Sequence, residues 1–128
     1  MGDDDLPALS EAQMEIMAVV WDRGECTVAD VLEAVCRLRS VTRNTIHTMM
    51  TRLADKGWLT VRADGSRFVY RAAVDRNVVQ QQCVERVVQT VFDGSTEGLV
   101  LSLLQNRSLS KAEATRIRRM IREAEDRS

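Results

Sequence analysis

The stretch Thr42-Arg43-Asn44-Thr45-Ile46-His47-Thr48-Met49-Met50-Thr51-Arg52-Leu53, running on through Lys56-Gly57, decides how the chain is read. Ile46, Met49, Met50 and Leu53 recur at three- and four-residue steps, which predicts a helix over about 42–56 with one apolar stripe turned inward. The opposite face is unusual. Asn44, Thr48 and Thr51 project there, flanked by His47 and Arg52, with Arg43 in the first turn and a single acid, Asp55, at the far end. A solvated helix would carry salt-bridging Glu and Lys pairs at those positions. Short hydrogen-bonding and cationic side chains suit base edges and phosphates instead.

Beyond Gly57 the period changes to two. Leu59 and Val61 alternate with Thr60 and Arg62, Asp64-Gly65 supplies a turn, and Phe68 and Tyr70 alternate with Arg67, Val69 and Arg71. This predicts a β-hairpin with one apolar or aromatic face, and Arg67 and Arg71 on the other, where they can meet a phosphate backbone. Upstream, Ser10-Glu-Ala-Gln13 is a capping-box pattern that opens a helix to about Arg23, with Met14, Met17, Val20 and Trp21 as its stripe and Gly24 as its stop. Thr27-Val-Ala-Asp30 starts a second helix with the stripe Val28, Val31, Leu32, Val35 and Leu38. Three helices and a hairpin make a winged helix-turn-helix domain over residues 1–74, with the central helix as its reading helix.

The remainder reads as helical. One helix spans Asp75 to about Phe92, Asp93-Gly94 breaks it, and Leu99, Val100, Leu101, Leu103 and Leu104 form a short helix that is apolar nearly all round. Ser110-Lys-Ala-Glu113 caps a last helix expected to turn Ala114, Ile117, Met120, Ile121 and Ala124 inward. A segment of this size buries too little of its own apolar surface. Residues 75–128 are therefore expected to form a helical dimerisation domain, and the two-fold symmetry of a homodimer would match a palindromic site in double-stranded DNA. The fold class expected is mainly α with a small β-hairpin wing.

The net charge of −1 conceals a segregation. Residues 1–36 carry nine acids and one base, whereas residues 37–74 carry eight bases (Arg37, Arg39, Arg43, Arg52, Lys56, Arg62, Arg67 and Arg71) against Asp55 and Asp64. A polyanion would be drawn to that middle block. The competing class is a winged-helix docking module that contacts protein and not DNA; it would not need cations concentrated there. No HExxH, nucleophile elbow or glycine-rich phosphate loop is present, and His47 has no Cys, Asp or Glu at four-residue spacing, so no enzyme, cofactor or metal site is expected. Cys26, Cys36 and Cys83 are odd in number and widely spaced, as reduced thiols would be. Cys36 and Cys83 are expected in the core, and Cys26 in an exposed inter-helix turn where a redox role would be conceivable. No apolar run would span a bilayer. The start Met-Gly-Asp-Asp-Asp has the wrong charge for a signal peptide, and Leu6 stands where a myristoylation signal needs Ser or Thr. These features place the chain in the cytoplasm, associated with the nucleoid.

Four stretches carry a resemblance: Ser10-Glu-Ala-Gln-Met-Glu-Ile-Met17 leading to Val20-Trp21; Thr45-Ile-His-Thr-Met-Met-Thr-Arg-Leu53 with Lys56-Gly57; Phe68-Val-Tyr70; and Leu99-Val-Leu101. Together they resemble the penicillinase repressors of the BlaI and MecI type, in the wider group that also holds copper-responsive repressors of the CopY type. The resemblance implies a dimeric repressor of antibiotic-response genes that is inactivated when a membrane metalloprotease sensor triggers cleavage of the C-terminal region. By residue matching it implies recognition roles for Arg43, Asn44, Thr45, His47, Thr48 and Arg52. Staphylococcal members carry arginine at the place of His47, and their scissile Asn–Phe bond corresponds here to Ser102-Leu103. Copper sensing would call for Cys-x-Cys pairs near the C-terminus, whereas the last cysteine is Cys83.

Overall fold

The computed structural model describes residues 9–127. The acidic start Met1–Asp5 and Leu6, on which the targeting and acylation readings turn, lie outside them. Six helices and three strands follow in order: α1 (Glu11–Arg23), β1 (Glu25–Cys26), α2 (Val28–Cys36), α3 (Arg43–Asp55), β2 (Leu59–Asp64), β3 (Arg67–Ala72), α4 (Arg76–Thr90), α5 (Thr96–Gln105) and α6 (Lys111–Asp126). The chain divides into two compact units, one extending to Cys83 and the other beginning at Val84.

Local chemistry sets the helix boundaries. The Ser10 hydroxyl accepts from the Gln13 amide at 3.2 Å while the Gln13 side chain accepts from the Ser10 amide at 2.9 Å. Thr27 and Asp30 repeat the device on α2, and Thr42 and Ser110 accept from the third helical amide of α3 and α6. Gly24 ends α1 at φ +86°, a conformation that would strain a side chain.

The first unit has one core. Ile16, Met17 and Val20 of α1 meet Val28, Val31 and Val35 of α2, and Ile46, Met50 and Leu53 of α3, with Leu9, Trp58, Leu59, Tyr70, Val74 and Val79 closing the sides. Met14, Trp21, Leu32 and Met49 pack half-buried against it. A three-stranded antiparallel sheet in the order β1-β3-β2 covers one end, with Thr60 opposite Arg71, Val61 opposite Tyr70, and Ala63 opposite Phe68. Gly65, at φ +66°, and Ser66 make the hairpin turn, with Asp64 as the last residue of β2.

Four expectations are corrected. The sheet has a third strand, because Cys26 pairs with Tyr70 and Glu25 with Arg71. Cys26 is consequently 1% exposed. Burial pushes its thiol pKa up, Asp30 adds to that, and Arg23 opposes it; a protonated, enclosed thiol is the opposite of a redox sensor. Leu38 is 73% exposed, because α2 ends at Cys36 and the chain turns before the stripe reaches it. Cys36 itself faces solvent, whereas Cys83 packs half-buried against the core, where it is expected.

In the second unit, α5 and α6 contain no buried residue. Ala114 and Ile117 are half-buried, but Met120 is 60% and Ile121 52% exposed, and Ala124 is exposed too, so a single chain leaves much of the intended inner stripe uncovered. Val91, Leu101, Leu103 and Leu104 are exposed as well.

Candidate nucleic-acid interface

The inward stripe of α3 fixes which side chains are left to solvent. With Ile46, Met50 and Leu53 buried, Arg43, Asn44, His47, Thr48, Thr51 and Arg52 all emerge on the exposed surface. The hydroxyls divide. Thr51 Oγ1 donates to the His47 carbonyl at 2.9 Å, a back-bond to its own helix, and Thr45 shares a 2.9 Å hydrogen bond with the capping Thr42. The Asn44 and Thr48 side chains make no hydrogen bond among the described residues and stay free to meet a partner.

The bases of the middle block divide in the same way. Arg37 pairs with Glu33 at 3.3 Å, Arg39 with Glu15, Arg62 with Glu25 at 2.9 Å, and Arg67 with Asp64 at 3.5 Å. Arg43, Arg52, Lys56 and Arg71 are exposed and have no ion pair among the described residues. Three of these unneutralised cations belong to α3 and its C-cap, and the fourth to the wing. Asp55, the one acid on α3, pairs with none of them.

Helix and wing meet in a cleft of about 220 Å³. Arg43 and His47 line it from α3, four residues apart on one face. Ser66, Arg67 and Phe68 line it from the wing, with Tyr70 and Val28 below and Thr27 at the start of α2. The structure thus brings Arg43, His47 and Arg67 together. Arg71 and Arg52 lie outside that cleft. The sequence reading missed the role of Phe68: it shares the aromatic face with Tyr70, but Tyr70 is buried while Phe68 is 59% exposed. The inverse holds for Val69, which is buried on the face that carries Arg67 and Arg71. Alternation alone assigns faces, and only the end of the hairpin nearer the helices is covered. Among the described residues no group of three or more His, Cys, Asp or Glu side chains is arranged to hold a metal ion, and no helix is long and apolar enough to cross a membrane.

Comparison with known proteins follows the same lines. The penicillinase repressor of Bacillus licheniformis is 26% identical over 122 residues, covering 95% of each chain. The methicillin resistance regulatory protein MecI of Mammaliicoccus sciuri is 25% identical over 113 residues, covering 88% of this chain and 92% of that one. Among solved structures, the solution structure of the Bacillus licheniformis BlaI monomeric form in complex with the blaP half-operator matches with a TM-score of 0.50 and 30% identity, covering 57% of this chain and 89% of that one. A family model described as penicillinase repressor matches residues 9–123, from the last residue before the α1 cap to within α6. The chain belongs to the penicillinase repressor family.

Proposed function

We propose that the protein is a homodimeric transcriptional repressor that binds double-stranded DNA through its winged helix-turn-helix domain, residues 1–74, and dimerises through residues 75–128. The observation that carries this reading is the exposed face of α3, with its unneutralised Arg43, Arg52 and Lys56 and its free Asn44 and Thr48, continued onto the wing by Arg71. α3 lies in the major groove, Arg43, Asn44, His47 and Thr48 face the bases, and Arg52, Arg67 and Arg71 hold phosphates. Thr45 and Thr51, whose hydroxyls are engaged within the helix, support that surface from its edges. Two such helices, related by a two-fold axis, reach half-sites about 34 Å apart on a palindromic operator.

The test is fluorescence anisotropy of a labelled duplex against salt. Contact with roughly three to five phosphates per half-site gives a slope of log affinity against log salt of about −5 to −9 for the dimer. A flat response, with no duplex bound at low ionic strength, favours the protein-docking alternative. In the cell this function is cytoplasmic and nucleoid-associated, the regulated genes are antibiotic-response genes, and release follows cleavage near Ser102-Leu103 by a membrane metalloprotease sensor system. Leu103 is exposed, and the irregular residues 106–110 follow α5 directly. Ser102, however, is half-buried inside that helix, so cleavage requires its last turn to open. Recovery of only full-length chain from antibiotic-challenged cells carrying such a sensor would remove the proteolytic step.

A further inference from the structure

The cleft between α3 and the wing has more chemistry than a phosphate backbone uses. Its rim carries two guanidinium groups, Arg43 beside His47 on one side and Arg67 on the other. Its floor is apolar, made by the buried Val28 and Tyr70, and one wall is the exposed ring of Phe68. A phosphodiester would engage the rim and leave the floor and the ring untouched. We propose that this cleft binds a small planar aromatic carboxylate, and that its occupation displaces duplex DNA from the same residues.

Size and charge both point to that class. A volume of about 220 Å³ is the space of roughly seven water molecules and lies below the range typical of drug-sized ligands, so the occupant is a fragment with about ten non-hydrogen atoms. An aromatic ring of that size has Phe68 to pack against in an offset or edge-on arrangement. The carboxylate has guanidinium groups to engage in paired, charge-assisted hydrogen bonds. Arg43 has no ion-pair partner among the described residues, and the one ion pair of Arg67 is a 3.5 Å exposed contact with Asp64, an attachment of small energy beside a weak pull from Asp30. Both are therefore available. Because Arg43 and His47 are also proposed to face bases, ligand and duplex compete; this consequence rests on the DNA-binding reading above.

The experiment titrates isotope-labelled full-length chain with sodium benzoate as the probe, using benzamide as the neutral isostere and sodium acetate as the non-aromatic salt at equal ionic strength. Millimolar binding is the scale expected of so small a ligand. Resonances of Phe68, Arg43 and Ser66 should shift with benzoate alone, and the Phe68→Ala and Arg67→Gln variants should each weaken the effect severalfold while melting as the parent does. At twice its own Kd, benzoate should lower duplex affinity relative to acetate by about threefold per cleft, and so by about ninefold for a dimer that must free both. Equal shifts with benzamide would overturn the carboxylate assignment. No shift at tens of millimolar, or shifts unchanged in both variants, would overturn the site. A chain that binds duplex but ignores benzoate refutes this inference and leaves the repressor reading standing; a chain that binds benzoate here but no duplex refutes the repressor reading and the displacement with it, and leaves only the cleft as a carboxylate site.

Discussion

Asn44 and Arg71 are both exposed and uncommitted, yet they differ in what DNA can do for them. A carboxamide offers one acceptor and two donors, enough to distinguish adenine by a paired contact, whereas a guanidinium on the wing meets a phosphate that every sequence presents alike. Asn44→Ala or His47→Ala is expected to erode discrimination between operator and random duplex by about 1–3 kcal/mol. Arg71→Ala should weaken both duplexes together and flatten the salt slope by about one per subunit. Anisotropy on the two duplexes at two salt concentrations separates the outcomes, and equal losses on both in all three variants would refute the division of labour. The cysteines are the other residue-scale contrast. Cys36 faces solvent, and Cys26 is enclosed with its thiol pKa raised by burial. A thiol reagent added to native protein should modify Cys36 quickly, whereas Cys26 should wait for local opening of the sheet; mass spectrometry of timed samples reads the order, and early modification of Cys26 would contradict its enclosure.

Capping chemistry made most helices legible in the sequence, because a cap is written in adjacent residues. Ser10 with Gln13, Thr27 with Asp30 and Ser110 with its third helical amide all occupy the expected positions. What escaped was nonlocal. β1 has two residues, too few to show alternation, and exists because β3 offers a free edge more than forty residues on. That one strand changes Cys26 from a turn residue into core. The α3 stripe and its outward face were readable for the same local reason as the caps, whereas the cleft with Phe68 depends on how the hairpin sits against the helices. The α2 cap gives a prediction at this scale. The Asp30 carboxyl is held below the ordinary carboxylate range, first by the Thr27 backbone amide, which donates to it at 2.9 Å, with the Thr27 side chain, Arg23 and Arg67 adding smaller effects against a desolvation cost. A depressed folded-state pKa means that this stabilisation is present at pH values above the ordinary carboxylate range and is lost as pH falls through the depressed value. Asp30→Ala should lower stability at pH 7 by about 0.5–1 kcal/mol, the lower half of the capping range because the side chain is 44% exposed. Urea unfolding from pH 7 down to pH 3 should show the gap between parent and variant closing; a gap constant with pH would mean that the charge contributes nothing.

For the whole molecule, the two compact units face different demands. The first gathers its buried residues into one core of its own. The second ends in α5 and α6, which bury no residue, and leaves Val91, Leu101, Leu103, Leu104, Met120 and Ile121 to water. Large apolar side chains left exposed in this number on a helical unit mark an association face, and in the proposed dimer a second copy would cover it symmetrically without requiring another gene product. In the proposed dimer, duplex binding would inherit the symmetry: one protomer would contribute half the phosphate contacts, and the partner would double both the contacts and the salt dependence. Ile121→Glu places a charge on this face at a position already half-open in one chain, so the variant should keep its helicity while sedimenting as a monomer at micromolar concentration. Its affinity for a palindromic duplex should fall at least tenfold, and its salt slope should drop to about half that of the parent, because only one half-site is engaged at a time. Circular dichroism, sedimentation velocity and the salt series together decide the matter. If the parent itself sediments as a monomer while showing the full slope, the apolar face has some other use and the phosphate contacts all belong to a single chain.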